Sequence, residues 1–94
     1  MRLSQEQINV LKDGLKQLDA LARVYLFGSR VDDSKKGGDI DLLIKSEKLS
    51  RTDIRKLRMD FYRHFGEQKM DVLLDDGKQS DAFFAKIREK AIEL

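Results

Sequence analysis

The chain has 94 residues, which fits one domain spanning 1–94 and leaves no room for a second. Charged residues make up 38% of it but nearly cancel to a net charge of +2, and Lys86, Arg88 and Lys90 are interleaved with Glu89 and Glu93. That is a solvated helix face rather than the one-sided basic stripe of a nucleic-acid binder, so direct nucleic-acid binding is not expected. The lack of cysteine excludes disulfides and thiolate metal sites; no apolar run approaches the about 20 residues of a membrane helix, and Met1 to Glu6 lead into no signal-like stretch, so a cytoplasmic protein is expected.

The first helix is predicted from Ser4, whose spacing to Gln7 suits a capping box; Ile8, Leu11, Leu15 and Leu18 follow at helical intervals, with Gly14 weakening the pattern. Arg23 to Phe27 reads as a strand ended by Gly28. A short segment then runs to Gly37-Gly38 and has room for a helical turn beginning at Ser29. Asp39 to Lys45 is a second strand, with Ile40, Leu42 and Ile44 on one face and Asp39, Asp41 and Leu43 on the other. Ser50 caps a helix with Asp53 three residues on, a stripe of Ile54, Leu57, Phe61 and Phe65, and Gly66 as its stop. Lys69 to Leu74 is the third strand. A last helix is predicted from Ser80, with Phe84, Ile87, Ala91 and Leu94 as its stripe.

Three strands with covering helices make a small α+β domain with a mixed sheet. The helix between the second and third strands favours a parallel pair, and the short first connection allows an antiparallel one. Asp75, Asp76, Asp32 and Asp33 read as turn acids. His64, the sole histidine, falls in the last turn of a helix, where a partial positive charge is favourable.

The acids on the strands carry the chemistry. Asp is a poor strand residue, and residues two apart share a face about 7 Å apart. Asp39 and Asp41 on one face of an apolar strand are unfavourable unless a cation rewards them, and carboxylate oxygens are the ligands Mg²⁺ prefers. Asp71 repeats the pattern on the next strand. If those strands are neighbours, about 4.8 Å apart, three carboxylates converge. Taken singly, each acid also fits a water-facing strand end. Gly28-Ser29 follows a strand where backbone N–H groups could bind phosphate, and Arg30 could pair with a phosphate oxygen; the same dipeptide is also an ordinary turn, and it is no P-loop.

Gly28-Ser29, nine residues, then Asp39-Ile40-Asp41-Leu42-Leu43 resembles the motif of the DNA polymerase β-like nucleotidyltransferase superfamily. Gly28-Ser29-Arg30 and Gly38-Asp39-Ile40-Asp41-Leu42, with Asp71 in the place of the third acid, are similar to its minimal nucleotidyltransferase group. The resemblance spans about Val24 to Leu74. Val31-Asp32-Asp33 departs from the small residue often found after the arginine, and Gly38 stands where serine is common. The resemblance implies the polymerase β-like fold and a transfer of NMP, first of all AMP from ATP, to an acceptor hydroxyl. It implies that Gly28 and Ser29 hold the β- and γ-phosphates, that Asp39 and Asp41 bind two Mg²⁺ ions, and that Asp71 completes one metal site and orients or deprotonates the attacking hydroxyl. It further implies a partner, an all-helical HEPN protein in a toxin–antitoxin pair. The competing reading is a non-catalytic antitoxin that neutralises its partner by contact.

Overall fold

The computed structural model describes residues 3–28, 39–77 and 82–94. In chain order they form α1 (Gln5–Leu18), β1 (Arg23–Phe27), β2 (Ile40–Lys45), α2 (Arg51–Phe65), β3 (Met70–Asp75), α3 (Ala82–Lys90) and β4 (Ile92–Glu93). Both expected capping spacings are used. The Ser4 Oγ accepts from the Gln7 N–H at 3.1 Å while the Ser4 N–H donates to Gln7 Oε1 at 2.9 Å. At α2 the Ser50 N–H donates to Asp53 Oδ2 at 3.0 Å. Each bond satisfies a terminal backbone group that the helix ladder leaves unpaired.

The sheet order is β3-β2-β1-β4. β1 and β2 are antiparallel, and β2 and β3 are parallel with α2 as the crossover between them. Leu11 and Leu15 of α1 and Ile54, Leu57 and Phe61 of α2 pack on one sheet face against Val24, Leu26, Ile40, Leu42, Ile44 and Met70. The two helices lie close together at Gly14, where a Cβ would sit 3.0 Å from Leu57 Cδ1, so the glycine that weakens the helical pattern serves the packing. Phe61 is fully buried, and replacing such a residue by alanine costs about 3–5 kcal/mol.

Leu43 is equally buried but belongs to the other face, by the alternation of β2. Asp75 shares that face, being in register with Lys45, and ties α3 to it through a 2.6 Å ion pair with Arg88. Phe84, one turn earlier on α3, is also buried.

The sheet has four strands, not the expected three. The stripe Phe84, Ile87, Ala91, Leu94 suggested one helix to the last of these residues, but α3 ends at Lys90. Ile92 and Glu93 pair with Leu26 and Tyr25, and the Leu94 N–H donates to the Val24 carbonyl at 3.0 Å. Beyond α3 the chain satisfies the outer edge of β1 instead of extending a helix, and Leu94 packs on the main core. The proposed cap Ser80 lies outside the described residues. Among those residues no helix is long and apolar enough to cross a membrane.

Candidate active site

Strand pairing brings the separate acids together. Asp41 of β2 and Asp71 of β3 are direct partners in the parallel register, so their side chains leave the sheet side by side on one face. Asp41 is half-buried and Asp71 exposed. Burial pushes the Asp41 carboxyl above its ordinary range, and the negative charges of Asp71 and Asp39 and hydrogen bonding with Asp71 push the same way, against a smaller opposing pull from Lys69. A carboxylate held among like charges is an arrangement that a cation relieves.

Asp39 lies one residue before β2, and its Oδ2 is 3.4 Å from Lys69 Nζ, in an ion pair exposed on both sides. Among the described residues no three His, Asp or Glu side chains are grouped tightly enough to hold a metal ion. Asp41 and Asp71 are the pair the sheet brings together, and Asp39 is turned to Lys69.

Gly28 completes the carboxylate end of the sheet. It follows β1 directly, and Phe27 is in register with Asp41. Its φ is +79°, and a Cβ there would press on the Asp41 carboxylate, with Asp41 Cγ at 3.1 Å. Both the left-handed backbone and the close approach call for glycine. The sequence motif implies a phosphate contact at this position; in the structure the residue type leaves room for the Asp41 carboxylate. Ser29 and Arg30, the other two expected nucleotide contacts, lie outside the described residues, as do Asp32 and Asp33.

A cleft of about 370 Å³ opens over the Asp41–Asp71 pair, lined by Phe27, Asp41, Arg58, Met70, Asp71, Val72 and Leu73. Arg58, which no sequence pattern marks, follows Leu57 of the buried α2 stripe and is itself half-buried.

One assignment from sequence is overturned. Asp75 is no turn acid: it is the last residue of β3 and fully buried. Besides the Arg88 ion pair it accepts a hydrogen bond from the Gly77 N–H at 3.0 Å. Asp19 is a second buried acid, 2.6 Å from the Ser46 hydroxyl that donates to it and bonded to the Leu21 N–H at 3.0 Å. The parity of β3, which puts Asp71, Leu73 and Asp75 on one face, was the available signal for Asp75; nothing in the sequence marked the Asp19–Ser46 pair, 27 residues apart. His64 matches its bland reading, with Nδ1 2.9 Å from the Asp60 carbonyl in the last turn of α2.

No curated protein matches the chain. The family model for polymerase beta nucleotidyltransferases matches residues 9–94, nearly the whole chain and all of the strands that carry these acids. With its mixed sheet, paired aspartates and strand-ending glycine, the chain belongs to the polymerase beta nucleotidyltransferase family.

Proposed function

We propose that this chain is a minimal nucleotidyltransferase that moves NMP, first of all AMP from ATP, to an acceptor hydroxyl. The observation that carries the reading is the direct pairing of Asp41 with Asp71 against Gly28, in a chain of this family. All-oxygen donors suit Mg²⁺, and Asp39, Asp41 and Asp71 are the residues that would hold it. The Lys69–Asp39 pair is exposed and worth at most about 1 kcal/mol, too little to keep Asp39 from a divalent ion. Two bound Mg²⁺ ions would supply charge stabilisation for the attacking and leaving oxygens of an in-line displacement at the α-phosphorus. Asp71, the exposed member of the pair, orients or deprotonates the attacking hydroxyl. Gly28 and Ser29 receive the β- and γ-phosphates and Arg30 pairs with a phosphate oxygen; for all three the phosphate contact rests on the motif alone.

The acceptor is proposed to be a protein, a helical HEPN-type partner in a toxin–antitoxin pair. A domain with so small a sheet offers little surface for an acceptor pocket, and specific pockets usually lie between domains. The test is to co-purify the chain with the protein encoded beside it and weigh that partner after incubation with ATP and Mg²⁺. A mass gain of one or more AMP units, lost in Asp41→Asn, is expected. A tight complex with no mass gain would replace enzymatic modification by neutralisation through contact. Neither complex nor modification would remove the partner from the proposal.

A further inference from the structure

The carboxylate cleft has a second charged wall. β3 is an edge strand, and the cleft runs over its free side: Asp71 and Leu73 belong to one sheet face, Met70 and Val72 to the other. At its α2 side stands Arg58, the one cation among the described lining residues. The Arg58 Nε is buried and has no hydrogen-bond partner, and none of the ion pairs among the described residues includes this side chain. A buried donor left unpaired is costly, and this one, on a half-buried side chain, shares the lining of a cleft with two acids, so an acceptor that arrives from outside would satisfy it.

The order of the strands says which part of a substrate that is. Gly28 follows β1, Asp41 is on β2 and Asp71 on β3, and Arg58 reaches the cleft from α2, which packs beside β3 on the other sheet face. Under the proposed function, on which this inference rests, the β- and γ-phosphates lie at the Gly28 side and the α-phosphorus lies over the two aspartates. Arg58 therefore approaches the position over the aspartates from the β3 side, away from the Gly28 side where the pyrophosphate leaves. We infer that Arg58 is a substrate-binding residue whose guanidinium engages the α-phosphate of the nucleotide. Its planar fork can give two hydrogen bonds to one phosphate, which an ammonium cannot.

The experiment is calorimetric titration of the protein with ATP, AMP and pyrophosphate, each with Mg²⁺. Arg58→Gln is expected to weaken ATP and AMP by about tenfold or more while pyrophosphate binds as to the parent. Arg58→Lys should fall between, and Arg55→Gln, at an exposed position on the same helix, should change nothing. Melting curves of each variant confirm folding, and the lysine variant keeps the apolar stem if the glutamine variant does not fold. Equal weakening of all three ligands, or of none, overturns the assignment. The nucleotide reading fails separately: it falls if the parent binds none of the three, or if Asp41→Asn binds them as the parent does.

Discussion

The parallel strands β2 and β3 end in two different ways. At their N-terminal ends Asp41 and Asp71 stand side by side with each other's charge for company, and the Asp41 carboxyl is held above its ordinary range. At their C-terminal ends the buried acids are fully provided for. Asp75 has Arg88 and the Gly77 N–H, and Asp19 has the Ser46 hydroxyl and the Leu21 N–H. Ser46 in turn accepts from the Lys48 and Leu49 N–H groups at 3.1 and 3.2 Å, so the turn after β2 is locked by the same network. Buried polar groups are normally paired. The satisfied end is structure, and the end where like charges are crowded together is where the proposed function places the metal and nucleotide.

The largest expected effect tests the crowded end through its glycine. Gly28→Ala forces a side chain into a left-handed position and against the Asp41 carboxylate. Nucleotidyl transfer should fall by at least about tenfold, as expected for a misplaced catalytic group. An alanine variant with parental activity would mean that the Asp41 carboxylate need not stay where it is.

The next effect belongs to the satisfied end. Arg88→Met leaves the fully buried Asp75 without its counter-ion. Breaking a buried pair costs about 3–5 kcal/mol, and about 2–3 kcal/mol is expected here because the Arg88 side chain is 40% exposed. For a domain of this size each kcal/mol is about 4–8 °C of melting temperature. The melt should drop by ten degrees or more, on the order of that product, with the α3 amides losing their hydrogen-exchange protection first. A change within about 1 °C would show that Asp75 is held by its backbone partner alone.

The smallest effect is a contrast in sign. Asp19 has its carboxyl lowered, chiefly by the Ser46 hydroxyl and then by the Leu21 N–H. Its contribution to stability is present above the ordinary aspartate range and is lost as pH falls through the lowered folded value. Asp41 is raised, so the folded state holds its proton more tightly than the unfolded chain does. Its contribution is present below the ordinary range and lost as pH rises through the raised folded value. Without metal, Asp41→Asn should therefore raise the melting temperature at pH 7, with the gain disappearing below about pH 4. Asp19→Asn should lower it at pH 7 and flatten the acid limb. Chemical denaturation from pH 3 to 8 reads both, and shifts of the same sign would erase the contrast between the two ends.

Local periodicity in the sequence was enough for α1, α2 and the three longer strands, because caps at Ser4 and Ser50 and the alternation of Ile40, Leu42 and Ile44 are properties of short stretches. It was also enough to mark Asp39, Asp41 and Asp71, since an acid inside an apolar strand is conspicuous by itself, and the motif spacing placed the chain in its family. Tertiary structure alone decided what depends on residues far apart. The helical stripe ending at Leu94 gave way to β4 because the edge of β1 offered backbone partners that no local pattern records. Asp75 looked like a turn acid until α3 laid Arg88 against it. Nothing in the sequence set Arg58 apart from the other charges of α2; the packing of α2 beside β3 makes it line the carboxylate cleft. Which acids are paired, and which are crowded against like charges, is fixed only when the sheet register and the helix packing bring their neighbours into reach.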